Sequence, residues 1–447
     1  MRLDVFMGKR LLGWLSYDSE ANQFDFKYAP DWLTADDAFP LAPSLPMRVP
    51  KEQTAESKSR AARIFFENLL PEGKALDDAA ATYRVSKNSV AGLLAVLGNE
   101  AAGALRLLPH MATAEPASSE DALRPLPWEE LSERIRQRPE LPFSIWDRKV
   151  RLSIAGYQDK LAVYQETPGN WFLANGADVA STHILKPESA NPRLSGLTSN
   201  EFFCMRLAKA LGLPVAPVQL FHIPEPVLLV TRFDRRAGNG SVQRLPAIDG
   251  CQALGLPVGS KYELSFGNSK DVRDIRTGAS LQRLFELQHN SARPAAERVA
   301  LLRWVIFQVL IGNTDAHAKN LTFMCGTGGL SLAPAYDLVA GLLYADDRIE
   351  DTYAMAIGDA FTPADLSAYE WASFCHSTRL KPKLVQRELT NLARNVLKEL
   401  ADVAAKARAE GASPEVVGEI ESQVRAESAR QIEIAKAIPE MAELGAR

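Results

Sequence analysis

Asp315 and Asn320 stand five positions apart in the segment IGNTDAHAKN, residues 311–320, directly after an apolar stretch. Phosphoryl transfer needs an acidic group that orients and deprotonates the attacking hydroxyl. It also needs oxygen ligands that hold magnesium against the phosphates. Asp315 suits the first task and the amide oxygen of Asn320 the second, at the D-x-x-x-x-N spacing of kinase catalytic loops. Taken alone, Asp315 fits a turn residue at the end of a helix equally well.

A second carboxylate, Asp337, follows in the segment PAYDLVAG, seventeen residues after Asn320. It comes after a strand-like apolar run, where a kinase carries the metal-binding Asp of its DFG segment. A carboxylate that enters from another strand would complete a magnesium site with Asn320. The presence of all three residues makes the turn interpretation of Asp315 the weaker one.

Two charged residues upstream, Lys186 and Glu201, extend this pattern. Lys186 closes the short predicted strand His183–Lys186 in THILKP, and Glu201 lies at the start of the next predicted helix. Kinases hold the α- and β-phosphates with a strand Lys that pairs with a helix Glu. Each residue alone is a weak signal, because most Lys and Glu side chains are solvated surface charges. The order Lys186, Glu201, Asp315, Asn320, Asp337 is the order of these parts in a kinase.

Hydrophobic spacing predicts the elements that must position these residues. Phe24, Phe26 and Tyr28 alternate with polar residues, as in a half-buried strand, and Ser413 precedes Pro414 as a helix N-cap would. The same patterns predict strands in VRLSIAGYQDKLAVY, THILKP and VLLVTRFD, and helices over residues 60–70, 200–211, 299–311 and 383–406.

The element order predicts three consecutive segments in a chain of 447 residues, which is too long for one compact core. We expect an N-terminal subdomain over residues 1–125, a mixed unit over 126–235 and a helical unit over 236–447. Part of the stretch 112–138, rich in Ala, Pro, Ser and Glu, is predicted to connect the first two.

Composition narrows the class of protein. The chain is 46% hydrophobic and 24% charged, as ordinary globular proteins are, and its net charge of −4 argues against a large nucleic-acid surface of its own. The four cysteines, Cys204, Cys251, Cys325 and Cys375, form no CxxC pair, so we expect reduced structural thiols and no zinc site. No signal peptide or membrane-spanning run is recognisable, which predicts a cytoplasmic protein without a membrane partner.

Several motifs together resemble the HipA family of toxin kinases across nearly the whole chain. They are YAPDWL, FFENLLPEG, SIAGYQDKLAV, THILKP, NEFFCMRLAKALGL, TRFDRR, CQALGLP with KYE, GNTDAHAKN and PAYDLVAG. The resemblance implies an α+β, protein-kinase-like two-lobed fold. This fold would carry an extra N-terminal α/β subdomain and a mainly helical C-terminal lobe.

The resemblance also implies a role for each site residue. Asp315 would be the catalytic base of a serine/threonine kinase that uses ATP and Mg²⁺, with Asn320 and Asp337 as metal ligands. The residues expected at the nucleotide are Lys186, Glu201, Arg232, Phe233, Asp234 and His317, together with the phosphate loop residues Ser153, Ile154, Ala155 and Gly156.

Two features of the nucleotide site depart from a generic pattern. The loop from Ser153 to Lys160 has one glycine and fails GxGxxG, and Thr231 stands where the family often has an acidic residue. The family resemblance marks Ser153 as an autophosphorylation site. A dianionic phosphate there would repel ATP and switch the enzyme off. The alternative is a serine that only hydrogen-bonds within a hairpin.

The resemblance further implies a toxin–antitoxin module. The partner would be a HipB-like helix-turn-helix antitoxin, with operator DNA contacted mainly through that partner. The protein substrate would be a translation component, typically an aminoacyl-tRNA synthetase, whose phosphorylation arrests growth.

Two other functions remain open. A small-molecule phosphotransferase shares D-x-x-x-x-N and a later Asp, but it lacks the YAPDWL-type first domain and the serine loop. A non-catalytic partner in a DNA-binding repressor complex would have no need for Lys186, Asp315, Asn320 and Asp337.

Overall fold

The computed structural model describes the chain except for residues 49, 111–121, 152–157, 175–178, 239–240, 346–350 and 445–447. The described chain forms two compact units, each built from separate stretches. The first contains residues 1–187, 222–258 and 323–329, and the second contains residues 188–221, 259–322 and 330–447. Helices and strands occur throughout, which confirms the predicted α+β class. The division into three consecutive segments stays a prediction.

The strands are numbered here in chain order. They are β1 Arg2–Met7, β2 Arg10–Asp18, β3 Gln23–Tyr28, β4 Leu105–Pro109, β5 Leu123–Leu126, β6 Ile145–Trp146, β7 Lys149–Val150, β8 Leu161–Thr167, β9 Asn170–Ala174, β10 His183–Pro187, β11 Val218–His222, β12 Pro226–Thr231, β13 Arg235–Gly238, β14 Ser241–Arg244, β15 Ala247–Asp249, β16 Thr322–Gly326 and β17 Gly329–Leu332.

The α-helices are numbered in the same way. They are α1 Pro30–Leu33, α2 Ala55–Glu67, α3 Gly73–Tyr83, α4 Val90–Leu97, α5 Trp128–Arg136, α6 Leu197–Ala210, α7 Gly250–Leu254, α8 Leu281–Leu287, α9 Pro294–Ile311, α10 Ala368–Thr378, α11 Pro382–Ala409 and α12 Pro414–Leu444. Short 3-10 turns include Ala318–Asn320 and Gly341–Tyr344.

The first unit begins with an antiparallel sheet in the order β3-β2-β1-β4. The predicted strand around Phe24 is β3, in which Phe24 is buried and Lys27 is exposed. Helix α2 covers this sheet, and the ring of Phe66 lies 5.3 Å from the ring of Phe26. The alternating pattern therefore identified a real sheet face.

A second set of strands in the first unit runs in the order β5-β9-β8-β10-β12. The predicted strands THILKP and VLLVTRFD are β10 and β12, which pair antiparallel with Lys186 opposite Leu228. Leu185, Leu228 and Leu229 are almost fully buried around this pair. Lys186 is only 6% exposed, so its position in the strand holds its long side chain away from bulk solvent.

Helix α9 is the central element of the second unit and is buried along most of its length. Pro294 occupies its first turn, where a missing N–H costs nothing, and the buried residues run from Leu301 to Ile311. This confirms the helix predicted from the apolar stretch.

The long C-terminal helices of the second unit also agree with the sequence patterns. Helix α11 buries Val385, Leu389, Val396 and Leu400 at 3/4 spacing and packs along α12. Helix α12 begins at Pro414, and the hydroxyl of Ser413 accepts a hydrogen bond from the Val416 N–H at 3.4 Å. In the described part of the chain, no helix combines the length and the apolarity needed to cross a membrane.

Candidate active site

The loop that follows α9 is held in place by its own polar residues. The helix ends at Gly312, whose φ of +65° lies in the left-handed region; an added Cβ there would meet Leu342 at 2.6 Å. The Asn313 side chain donates to Oε1 of Gln308 at 2.8 Å and accepts the Asp315 N–H at 2.9 Å. Through these two hydrogen bonds the buried Asn313 side chain links helix α9 to the loop that carries Asp315.

The backbone of Asp315 is fixed from the other side as well. Its carbonyl oxygen accepts the N–H of His317 at 2.8 Å and the side-chain amide of Asn320 at 2.8 Å. The Asp315 side chain is 55% exposed. The predicted base therefore presents its carboxylate to solvent from a loop whose backbone is locked. Nδ2 of Asn320 is engaged inside the loop, so a metal ion would have to meet the side-chain oxygen Oδ1 of Asn320, and this ligand role stays a prediction.

An aromatic residue from another part of the second unit contacts this carboxylate. The hydroxyl of Tyr262 donates to Oδ1 of Asp315 at 2.6 Å. The same ring meets the ring of His317 edge-on, with centroids 5.0 Å apart and an interplanar angle of 86°. His317 is 4% exposed, and its Nε2 lies 3.7 Å from Oδ1 of Asp315, which is too long for a hydrogen bond.

Asp337 lies on the segment after β17, at a φ of +56°, a left-handed conformation that is uncommon for a residue with a Cβ. Its neighbour Tyr336 donates to the carbonyl oxygen of Lys319 at 2.8 Å. Lys319 directly precedes Asn320 in the sequence. The residues next to the two predicted metal ligands are thus hydrogen-bonded to each other.

A buried asparagine on helix α6 holds the other side of the Asp337 segment. The side chain of Asn200 accepts the Ala340 N–H at 2.8 Å and donates to the Ala340 carbonyl oxygen at 3.2 Å. Asn200 and the adjacent Glu201 are both fully buried. The helix that carries Glu201 is therefore tied to the backbone three residues beyond Asp337.

The sequence predicted nucleotide contacts for Arg232, Phe233 and Asp234, which follow β12 in the first unit. The Asp234 carboxylate accepts bonds from Arg232 at 2.9 and 2.7 Å, from Arg235 at 2.9 Å and from the Gly103 N–H at 2.9 Å. Burial opposes ionisation of Asp234, but the guanidinium groups of Arg232 and Arg235 outweigh it and hold the pKa well below its usual range. The protein itself engages this carboxylate, and a ribose contact through it stays a prediction.

The structure distributes the predicted site residues between its two units. Asp315, His317 and Asn320 share one loop of the second unit, which also contains Glu201 and Asp337. The residues in the first unit are Lys186, Arg232, Phe233 and Asp234. The phosphate loop residues Ser153, Ile154, Ala155 and Gly156 lie outside the described residues.

The donor set fits magnesium. Asn320 and Asp337 offer oxygen atoms, the ligands that this hard cation prefers, and magnesium usually keeps waters and phosphate oxygens in the rest of its shell. Among the residues that the structure describes, no cluster of three or more His, Cys, Asp or Glu side chains forms a ready-made metal cage. One carboxylate and one amide would suit a magnesium ion that is bound together with ATP phosphates, and this role of Asn320 and Asp337 stays a prediction.

Sequence spacing missed three polar residues that shape this site, Asn313, Asn200 and Tyr262. Asn313 lies inside the catalytic-loop motif but carried no recognisable role. Tyr262 belongs to the KYE motif, yet it is 53 positions from Asp315, and Asn200 is 140 positions from Ala340. Pairs this far apart leave no periodic signal in the chain.

Comparison with known proteins identifies the family. Residues 152–405 match the family model described as HipA-like C-terminal domain, and residues 3–108 match the HipA N-terminal domain. A relative from Shewanella oneidensis, named serine/threonine-protein kinase toxin HipA, is 38% identical over 406 residues, which cover 90% of this chain and 89% of the relative. The chain belongs to the HipA family. This confirms the resemblance carried by the sequence motifs.

A solved HipA structure has the same fold. The Shewanella oneidensis protein, determined as a complex of HipA, HipB and operator DNA, superposes with a TM-score of 0.85 at 35% identity. The match covers 98% of this chain and 99% of that one. The HipA fold therefore extends over the N-terminal and C-terminal family regions alike.

Proposed function

We propose that this HipA-family chain is a serine/threonine protein kinase that uses ATP and Mg²⁺. The observation that carries the proposal is the loop after α9. There the Asp315 backbone is hydrogen-bonded on both sides while its carboxylate stays exposed. A base held rigidly at the surface of a loop can meet a hydroxyl on another protein without first reorganising. The kinase name of the Shewanella relative supports the same reaction.

In the proposed reaction, Asp315 orients the acceptor hydroxyl and takes its proton. The hydroxyl oxygen forms a bond to the γ-phosphorus of ATP as the bond from that phosphorus to the β–γ bridging oxygen breaks, and ADP leaves. Asn320 and Asp337 would hold magnesium, which neutralises charge on the phosphate oxygens when bound. Asn200 and Tyr336 keep the backbone of the Asp337 segment in place for that task.

The remaining predicted residues would bind the nucleotide. Lys186 would contact the phosphates with Glu201 as its helix partner, and both side chains are already removed from bulk solvent. His317, Arg232, Phe233 and Asp234 would line the nucleotide. The arginine contacts of Asp234 favour a backbone contribution from that segment over a side-chain one.

We also propose the toxin role and its partners. The Shewanella relative is named a kinase toxin, and its structure contains HipB and operator DNA. By analogy this chain would bind a HipB-like helix-turn-helix antitoxin and reach operator DNA mainly through it, which agrees with a net charge of −4. Its protein substrate would be an aminoacyl-tRNA synthetase or another translation component in the cytoplasm, so that phosphorylation arrests growth.

Ser153 would be an autophosphorylation site and an off-switch. A dianionic phosphate in the loop that covers the ATP phosphates would repel the nucleotide by charge. This residue lies outside the described residues, so the proposal depends on the sequence resemblance and on electrostatics.

The test is transfer of label from γ-labelled ATP with magnesium, with phosphorylated positions mapped by mass spectrometry. The Asp315→Asn variant is compared with Asp402→Asn, a matched change at a carboxylate that is 58% exposed on α11. We expect label on Ser153 in the wild type and in the control, and none in Asp315→Asn. If the wild type labels neither itself nor proteins of a bacterial lysate, the kinase assignment fails and the repressor-partner function becomes the better one.

A further inference from the structure

The hydroxyl of Tyr262 is hydrogen-bonded to the carboxylate of Asp315, the proposed base. The length of this bond, 2.6 Å, lies within the normal range for a hydroxyl that donates to a carboxylate oxygen. The bond joins Oδ1 of the proposed base to a side chain 53 positions earlier in the chain.

The tripeptide Lys261-Tyr262-Glu263 is hydrogen-bonded to two other segments of the second unit. The Lys261 carbonyl oxygen accepts the Ala318 N–H at 3.1 Å, which connects the tripeptide to the catalytic loop itself. The Glu263 N–H donates to the Ala354 carbonyl oxygen at 2.9 Å, and the Glu263 carboxylate accepts the Ala356 N–H at 2.8 Å. Tyr262 is thus held by its two neighbours in sequence.

A third segment, which contains Arg276 and Gly278, is hydrogen-bonded to the same tripeptide. Arg276 donates to the Glu263 carboxylate at 2.7 Å, and the Gly278 N–H donates to the Glu263 carbonyl oxygen at 3.2 Å. Glu263 is 3% exposed; burial raises its pKa, against the opposing effect of the Ala356 N–H and of Arg276. A Cβ at Gly278 would lie 1.8 Å from the Tyr262 carbonyl oxygen, so a glycine is required for this approach.

These contacts fix the Tyr262 backbone and so fix the hydroxyl that touches Asp315. We propose that Tyr262 is a positioning residue for phosphoryl transfer, which holds the Asp315 carboxylate in the rotational state that meets the acceptor hydroxyl. A carboxylate turns readily about its last torsion, which has broad minima. A hydrogen bond to one oxygen removes that freedom before the substrate arrives. The inference rests on the proposed function, in which Asp315 is the base.

The alternative is that Tyr262 only supports the fold through its ring. The ring packs edge-on against His317, and the ammonium group of Lys261 lies 5.6 Å from the ring centroid. Tyr262→Phe keeps both ring contacts and removes only the hydroxyl, so it separates the two roles. Tyr369→Phe is the matched control, because Tyr369 is 59% exposed on α10.

The experiment measures self-phosphorylation of the full chain with γ-labelled ATP and magnesium. It yields a maximal rate and a half-saturating ATP concentration for each protein. We expect Tyr262→Phe to lower the maximal rate roughly tenfold to hundredfold, the effect of losing one hydrogen bond to a charged group. The half-saturating ATP concentration and the thermal unfolding midpoint should stay at the wild-type values, and Tyr369→Phe should match the wild type throughout.

Gly278→Ala provides a second test, because it disturbs the Tyr262 backbone while it leaves the hydroxyl present. It should lower the maximal rate as well, by displacing the tripeptide. A Tyr262→Phe variant with the wild-type maximal rate overturns the inference, and so does one whose only change is weaker ATP use. Loss of transfer in Asp315→Asn with no effect of Tyr262→Phe would leave the proposed function standing and reject this inference alone. If the wild type transfers no phosphate, the inference falls together with the proposed function.

Discussion

Asp315 and Asp234 show two opposite ways in which this protein holds a carboxylate. Asp234, in the first unit, is buried and accepts bonds from two arginines and a backbone N–H. Asp315, in the second unit, has an exposed carboxylate bonded to a tyrosine hydroxyl, and the rigidity lies in its backbone. The sequence predicted Asp315 as the catalytic base and Asp234 as a nucleotide-binding residue.

The difference indicates which of the two can do chemistry. A carboxylate between two guanidinium groups is held as an anion so firmly that it is a poor proton acceptor and has little capacity for a new ligand. An exposed carboxylate on a fixed backbone can accept a proton and release it again without disturbing the fold. Substitution at Asp315 should therefore affect the reaction, and substitution at Asp234 should affect stability.

The largest expected effect is that of Asp315→Asn on phosphoryl transfer. Because the amide has the same shape and no basicity, we expect the transfer rate to fall about a thousandfold or more. The free energy of unfolding should change by less than about 0.5 kcal/mol, as for other exposed positions. Transfer rates with labelled ATP check the first expectation, and a urea titration of the free energy of unfolding checks the second. Marked destabilisation of this variant would contradict the expectation that Asp315, unlike Asp234, contributes little to stability.

Asp234→Ala should have the reverse profile. The change leaves the buried guanidinium groups of Arg232 and Arg235 without their carboxylate partner, which costs about 3–5 kcal/mol in free energy of unfolding. Urea denaturation of the full chain measures this loss. The half-saturating ATP concentration, determined under conditions where the variant is folded, tests the ribose role separately. A stable variant that uses ATP poorly would assign Asp234 to the nucleotide after all.

The two aspartates also show what the sequence could predict. Asp315 and Asn320 are close in the chain, and their loop follows an apolar helix, so their spacing was enough to nominate both residues as site candidates. The strands β10 and β12 and the helices α9 and α11 were likewise predictable, because periodicity records which face of an element is buried.

The contacts that give each residue its role were not predictable in this way. Gly103 reaches Asp234 across 131 positions, and Tyr262 reaches Asp315 across 53. Such pairs are created by the packing of whole elements, and no local pattern requires a tyrosine or a glycine at those positions. The sequence could therefore nominate Asp234 as a ligand-binding residue but could not reveal that its carboxylate also accepts the Gly103 N–H.

Asn200→Ala should affect both stability and reaction, so its expected profile is intermediate between those of the Asp315 and Asp234 substitutions. It leaves the buried Ala340 N–H without its partner and removes one of the hydrogen bonds to the Ala340 carbonyl oxygen, which costs about 1–3 kcal/mol. Because this backbone follows Asp337 by three residues, we also expect transfer to need a higher magnesium concentration. Magnesium titrations of activity check this, with Asn391→Ala, at an exposed position of α11, as the control. An unchanged magnesium requirement would reduce Asn200 to a purely structural residue.

His183 extends the comparison of buried and exposed ionisable groups to pH. Burial lowers the pKa of this half-buried imidazole on β10 to about 4. The unfolded chain takes up a proton near the ordinary value of about 6.5, which the folded chain refuses until much lower pH. The contribution to stability is therefore complete above about pH 6.5 and is lost as the pH falls toward 4.

Between pH 7 and pH 5 we expect the wild type to lose about 1 kcal/mol more free energy of unfolding than His183→Gln, after allowance for partial solvent exposure. Parallel urea titrations of the two proteins at several pH values measure this difference, and the contribution of every other titrating group cancels between them. Identical pH dependence would mean that the folded protein protonates His183 as readily as the unfolded chain does. The His183 end of β10, the strand that also carries Lys186, would then be as exposed to solvent as the carboxylate of Asp315 is.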